Sequence, residues 1–441
     1  MDTGESRTPC PKDVKKQFFL KYPDMSKCYL NCINASFDVS RTVRISNIGG
    51  WEFNLKYDSN DVFDNIYTTT HLFIPKGGPM IKEYPVFKAA AIQAAPVYKD
   101  KPVYFDSGAT LSKAVDLITE AARNGARLIV FPETFLPGFP YWSLNMMNSI
   151  EWSGIWTEYL RHSIEVPGEE TDALCQAAKN AHACVVMGIN ERDRKYEGRM
   201  YNSILFISHL GEVMGVHRKV NPTIQELLYH TRGDGGTNLQ AFDTPLGKIS
   251  GLICGEHYQP LLKQNLIIQG AQVNCSLWPG FKGGAEELMT IIPVMTQSLC
   301  VSGGLWAVLA CTYIPEDQVP KDFYENNAFD LLFGGSCIIN PFGEIVAGPE
   351  TYKETIVYGD IDLKVNVMAK SIINLTGSYS RWDILSLGIR EKQYEPVFPL
   401  EAPEVVKPSM LTAEVAELTA KIKSLEAKLR AIEKTTSDEQ S

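Results

Sequence analysis

The chain has no stretch of about 18 consecutive apolar residues, so no membrane-spanning helix is expected. Its start, Met1-Asp-Thr-Gly-Glu-Ser-Arg7, lacks the apolar core of a secretory leader, and no signal peptide is expected. Positive charge is not in excess: 42 Lys and Arg stand against 52 Asp and Glu, a net charge of −10. That argues against a general partnership with nucleic acid or an anionic membrane. The ten cysteines, scattered from Cys10 to Cys337, lack the density and spacing of a disulfide framework. A reducing, cytoplasmic setting is therefore expected. Cys28 and Cys32 are not joined by a second Cys/His pair, so no zinc site is expected, nor any other metal or cofactor.

What is present is ordinary globular composition. The 441 residues are 44% hydrophobic and 21% charged, enough for a large core. Three stretches differ in character. Residues 1–85 are rich in Asp, Asn, Tyr and Lys, and read as an N-terminal extension of unknown role. Within it, Thr42–Lys56 alternates about Gly49-Gly50 in the manner of a hairpin. Residues 86–395 alternate apolar runs with helical spacing. Strands are expected at 87–93, 127–131, 183–190, 203–208, 249–254, 273–277, 306–311, 336–340 and 355–361. Helices are expected at 110–124, 170–181, 260–269 and 287–302. Pro341-Phe-Gly-Glu344 reads as a tight hairpin turn. Helices interleaved with this many strands predict a layered α/β body. Residues 396–441 form a linker and then a heptad helix, with Leu411, Val415, Leu418, Ile422, Leu425, Leu429 and Ile432 alternating spacings of four and three. Such a seam predicts either self-association or packing against the chain's own domain.

The most informative residue is Cys254. It ends the apolar run Ile249–Ile253 and is followed by Gly255-Glu256-His257 and then an amphipathic stretch. A strand that ends in a small-residue turn and opens into a helix sets its last side chain against free helical N–H groups. A thiol there is expected to ionise more easily and serve as a nucleophile. The competing reading is a buried structural cysteine. A nucleophile needs a base and a positive donor for the anion formed on attack. Glu133, just past the strand ending at Phe131 and boxed by Pro132, Pro137, Phe139, Tyr141 and Trp142, is a candidate base whose desolvation would raise its pKa. Its alternative role is a turn cap. Lys219, in His217-Arg218-Lys219-Val-Asn-Pro222, is a candidate donor, with Glu226 seven residues on to orient it. The alternative for that segment is a solvated basic loop.

In order and wording these segments resemble the nitrilase, or carbon–nitrogen hydrolase, superfamily. Glu133 in Phe-Pro-Glu matches the family's general base, and Lys219 in His-Arg-Lys-x-x-Pro-Thr its lysine. Cys254 in Cys-x-Glu-x-x-x-Pro matches the nucleophile, and Glu226 the additional glutamate. The likeness runs from about Val86 to Ile389 and is similar to nitrilases more than to amidases. Pro137–Trp142, Ser163–Gly168, Tyr201-Asn-Ser203, Gly233-Asp-Gly235, Trp278-Pro-Gly280, Ala347-Gly-Pro349 and Tyr379–Asp383 carry that finer match. Two departures stand out. Gly255 follows the nucleophile where nitrilases most often have Trp, and Gly377-Ser378-Tyr379 has Ser in place of a frequent His.

The resemblance implies a four-layer α-β-β-α sandwich that dimerises or builds larger, sometimes helical, homo-oligomers. It implies hydrolysis of a nitrile to acid and ammonia through a cysteine thioimidate and thioester, with water as co-substrate. Tyr141, Trp142, Gly255, His257, Tyr258, Trp278 and Pro279 flank the matched motifs and are candidate substrate-binding residues. Alternatives are release of the amide, an amidase of the same superfamily, or a non-catalytic scaffold. A protease pairing Cys254 with His257 is disfavoured, because both lie on one short turn.

Overall fold

The computed structural model describes residues 34–37, 42–48, 51–56, 83–141, 151–280, 282–283, 286–320, 329–330, 333–389 and 415–425. They fall into two units, 1–83 and 84–441. In the first, the expected hairpin is present as β2 (Thr42–Ile48) and β3 (Trp51–Lys56). A further strand, β1 (Asn34–Phe37), pairs antiparallel with β2.

The second unit is built on two six-stranded mixed sheets of one plan. In the first sheet, β4 (Val86–Gln93), β5 (Ala126–Val130) and β6 (Cys184–Arg192) run parallel. Antiparallel β7 (Met200–Ile207) and β8 (Val213–Arg218) extend one side, and β17 (Thr355–Asp362) closes the other. The second sheet has its own parallel trio, β10 (Gly247–Ile253), β11 (Val273–Trp278) and β13 (Trp306–Cys311). It is flanked by β9 (Phe242–Thr244) and by β15 (Gly334–Ile339) with β16 (Ile345–Thr351). A small antiparallel pair joins β12 (Lys282–Gly283) to β14 (Phe329–Asp330).

The strands read as continuous apolar runs because both faces are covered. Along β13, Trp306, Val308 and Ala310 face the layer between the sheets. Ala307, Leu309 and Cys311 face helices α4 (Pro260–Ile268) and α5 (Glu286–Gly303). The first sheet repeats this pattern: Leu128 and Val130 point inward, and Ile129 points toward α1 (Ser107–Arg123) and α3 (Glu169–Ala181). The result is the expected α-β-β-α sandwich. Helix α1 begins three residues earlier than its apolar spacing suggests, because the Asp106 carboxylate accepts the Ala109 N–H at 2.9 Å and caps it. Asn340 likewise accepts from Phe342 and Glu344 and closes the turn predicted at 341–344.

Elements beyond the expected set complete the unit, among them β8, β9, β16, α2 (Glu151–Arg161) and α6 (Lys364–Ile372). Beyond them, residues 415–425 of the expected heptad helix form α7. Strand β8 matters most. Two antiparallel steps from β6, it runs in the direction of β5. The carboxyl ends of β5 and β8 therefore face the same edge of the sheet.

Candidate active site

Glu133 stands three residues past β5, in a turn that needs an unusual backbone. Thr134 takes φ +44°, and the turn presses onto β6 at Gly188. A Cβ at Gly188 would collide with the Pro132 carbonyl, the Thr134 N–H and the Glu133 Cα, so only glycine admits the approach. The Leu136 N–H donates to the Gly188 carbonyl at 3.2 Å and the Asn190 N–H to the Leu136 carbonyl at 2.9 Å, which locks the segment beside the strand.

Lys219 follows β8 directly. Its own N–H donates to the Asn202 carbonyl at 2.8 Å. Glu226 sits in a 3₁₀ turn, Ile224–Leu228, and accepts the Thr223 N–H at 2.6 Å, a side chain capping its own turn. All three charged side chains are buried. The Lys219 ammonium donates to Glu133 Oε1 at 2.8 Å and to Glu226 Oε2 at 2.6 Å. Asn202, in β7, donates one amide hydrogen to Glu133 Oε1 at 2.6 Å and the other to Glu226 Oε1 at 2.7 Å. One lysine and one amide thus hold two carboxylates that would otherwise repel each other. Asn202 lies in the Tyr201-Asn-Ser203 match, but sequence reasoning gave it no role. The signal that finds it is an amide placed in a largely apolar, fully buried strand.

The electrostatics separate the two acids. Burial pushes the Glu133 carboxyl up and Lys219 pulls it back; with Glu226 also pushing up, it rests at about 7. Burial acts on Glu226 too, but Lys219 and His230 outweigh it and hold that carboxyl well below the ordinary range. Burial would neutralise Lys219, yet Glu133 and Glu226 keep it charged.

Cys254 opens a second 3₁₀ turn, Cys254–Tyr258, at φ +46°, a left-handed backbone that a side-chain-bearing residue adopts only where its surroundings enforce it. Glu256 is what enforces it. Its carboxylate accepts the Ile253 N–H at 2.9 Å and the Val220 N–H at 2.8 Å, and pairs with His217 Nε2 at 2.7 Å. The nucleophile turn is thereby fastened to the segment that carries Lys219. Cys254 is electrostatically coupled to Lys219, Glu133 and Glu226. The expected easier ionisation is not found. Burial raises the thiol well above its ordinary value, outweighing both Lys219 and the Gly255 N–H. A thiol in this state needs a base to take its proton.

The flanking residues divide. The Tyr141 hydroxyl donates to the Pro279 carbonyl at 3.4 Å, so these two meet, and both are buried. His257 stacks on Trp278 with ring centroids 5.0 Å apart. Its ring nitrogens are held by the Cys254 carbonyl and by Ser276 Oγ, at 3.0 and 2.9 Å. Burial lowers its pKa to about 4, so it stays neutral and braces the turn. Tyr258 is 48% exposed. Gly255 is partly open, and a Cβ there would lie 3.1 Å from Thr223 Oγ1. Trp142 lies outside the described residues. The segment 217–219 is no solvated loop: His217 is buried, and Arg218 forks onto Glu191 at 2.9 and 2.5 Å.

A buried Glu–Lys–Glu cluster and a thiol kept protonated by burial thus lie past the carboxyl ends of β5, β8 and β10, an arrangement with the groups that acid–base chemistry on a cysteine requires. The carbon-nitrogen hydrolase profile matches residues 88–367. A nitrilase 2 from an unknown prokaryotic organism is 36% identical over 283 residues, 64% of this chain and 88% of that protein. Nitrilase 2 of Arabidopsis thaliana is 33% identical over 325 residues, covering 71% and 91%. A bifunctional nitrilase/nitrile hydratase of Nicotiana tabacum is 32% identical over 340 residues, covering 73% and 93%. The fold is that of Saccharomyces cerevisiae Nit3, with a TM-score of 0.53 at 20% identity over 66% of this chain and 95% of that one. The chain belongs to the carbon–nitrogen hydrolase family, in its nitrilase branch.

Proposed function

We propose that the chain hydrolyses an organic nitrile to the carboxylic acid and ammonia, with Cys254 as nucleophile, Glu133 as base and acid, and Lys219 as donor. The observation that carries this reading is the split between the acids: Glu133 rests at about 7, where it can take and return a proton near neutrality. Its Oε1 holds Lys219 and Asn202, while Oε2 has no hydrogen-bond partner among the described residues.

Glu133 takes the thiol proton as sulfur attacks the nitrile carbon, then hands it to the nitrile nitrogen, giving a thioimidate. Lys219 and the Gly255 N–H stabilise the charge that develops on nitrogen. Water adds to the thioimidate carbon as Glu133 takes its proton. That proton passes to nitrogen, the hydroxyl proton follows through Glu133 as the C–N bond breaks, and ammonia leaves a thioester. A second water, activated in the same way, cleaves the C–S bond to give the acid and restore the thiol. The nitrile and two waters become the acid and ammonia. Glu226 is a positioning residue that holds Lys219. No metal or other cofactor enters this scheme.

A second reading shares the scaffold: if the C–S bond breaks before C–N, the amide leaves instead. The Nicotiana relative, named as bifunctional, favours keeping it. Gly255 bears on the substrate, because Thr223 Oγ1 stands 3.1 Å from where a Cβ would lie and a larger residue beside the nucleophile would have to displace it. The unpaired state of the seven described cysteines supports a reducing, cytoplasmic setting. We read residues 1–85 and 396–441 as appendages to the hydrolase domain at 86–395, and the working form as a homodimer or larger.

Aliphatic, aromatic and arylacetic nitriles and cyanide, assayed for ammonia and amide, test the activity and its product. Replacing Cys254 with alanine removes turnover by about 10⁴-fold or more. Substantial turnover by that variant would sink the assignment.

A further inference from the structure

Among the described residues, the seam in α7 has no partner. Every residue from 415 to 425 is exposed, and Val415, Leu418, Ile422 and Leu425 are 54%, 59%, 56% and 65% accessible. A helix that leaves its apolar stripe in water is marginal, because most helical stability in proteins comes from packing that stripe. Lys421 pairs with Glu417 one turn away at 3.3 Å, which adds only a few tenths of a kcal/mol. An apolar stripe of this kind is stable once covered.

We propose that this seam is covered by the same helix of a second copy of the chain, in a parallel, in-register, two-stranded coiled coil. The seam positions carry the stoichiometry. In heptad terms Val415 and Ile422 occupy a, and Leu418 and Leu425 occupy d. β-Branched residues at a with leucine at d favour two parallel strands. The order inverts only in the last repeat, at Leu429 and Ile432.

The flanking charges carry the orientation. Lys421 and Lys428 fall at g, and Glu426 and Glu433 at e. In a parallel pair each g residue faces the e residue five positions on in its partner. Lys421 then meets Glu426, and Lys428 meets Glu433, on both sides of the seam. In an antiparallel pair g faces g and e faces e, so lysine meets lysine and glutamate meets glutamate. Only the parallel register makes every such contact attractive.

The test uses the full chain, so that any association of the hydrolase domain is present throughout. Leu418→Cys and Leu425→Cys place a thiol in the seam, and Ala420→Cys places one on the outer face at f. After oxidation with glutathione disulfide, covalent dimer is read on a non-reducing gel against the unaltered chain. Facing d positions of a parallel pair lie within disulfide reach, so both seam variants cross-link about tenfold faster than Ala420→Cys. Adding Lys421→Glu to Leu425→Cys slows cross-linking about threefold or more, and adding Glu426→Lys as well restores it. Equal rates for seam and outer face, or no dimer from either seam variant, overturn the proposal. Faster cross-linking with Lys421→Glu alone points to an antiparallel pair and overturns it equally.

Discussion

Two buried carboxylates flank the same three-residue segment, 217–219, and have opposite fates. Glu256, on the His217 side, is saturated: Oε1 accepts the Val220 N–H, and Oε2 accepts the Ile253 N–H and pairs with His217. Burial works against its charge, but His217 and the two N–H groups outweigh burial and hold its pKa down. Glu133, on the Lys219 side, puts both of its partners on one oxygen and rests at about 7. Full satisfaction makes an acid a structural fastener. An acid that shares its cation with Glu226 stays able to exchange a proton. Burial alone does not distinguish the two, since both are essentially inaccessible.

Breaking the reactive member has the largest expected effect. Glu133→Gln keeps an oxygen for Lys219 and Asn202 but cannot take a proton. Ammonia release falls by about 10⁴-fold, while the melting temperature stays close to that of the parent. An equal loss of fold would mean that Glu133 is a fastener after all. Breaking the saturated member gives the converse. Glu256→Ala leaves His217 and two N–H groups buried without their acceptor, and denaturant unfolding shows a loss of about 3 to 5 kcal/mol. Whatever protein remains folded keeps its dependence on Glu133.

How much of this was legible in the sequence follows the same division. Continuous apolar strands and the order Glu133, Lys219, Cys254 point to the layered fold and the reacting groups, because hydrophobic runs and motif spacing are local signals. Strand β8 escapes them. Its six residues include Gly215, His217 and Arg218, and its burial depends on Glu256 and Asn238 arriving from elsewhere. Helix α2 is findable in hindsight from Trp152, Ile155, Trp156 and Tyr159, which recur at helical spacing. Asn202 acts through partners 24 and 69 residues away, and Glu256 reaches Val220 and His217 36 and 39 residues away, relations one sequence does not display. The thiol was misjudged for a similar reason: the helical N–H is local, but the burial that outweighs it is tertiary.

Between the two extremes lies Glu226. It holds Lys219 and adds to the upward push on Glu133. Glu226→Gln therefore acts in two ways. Turnover falls by about 10²-fold as Lys219 loses an anchor. The acid limb of kcat/KM, set by Glu133 having to be ionised, moves to lower pH because one negative neighbour is gone. A pH–rate profile separates this from a merely structural role, which would lower the plateau and leave the limb in place.

The smallest effect follows from the opposite pH responses of the two sides. His217, raised by Glu256, contributes stability that is complete below its ordinary value of 6.5 and fades as pH rises through its folded value. Glu256, held low, contributes stability that is complete above 4.5 and fades as pH falls through its folded value. The pair therefore supports the fold fully from about pH 4.5 to 6.5. Glu133 gains its charge, and the enzyme its rate, as pH rises through about 7. Activity should thus climb while the fastener begins to loosen. His217→Gln isolates the effect. Its unfolding midpoint should lie furthest below the parent's between pH 4.5 and 6.5, with the gap narrowing at higher pH. A gap that stays constant to pH 9 would mean that His217 acts by packing and hydrogen bonding, with no part played by its charge.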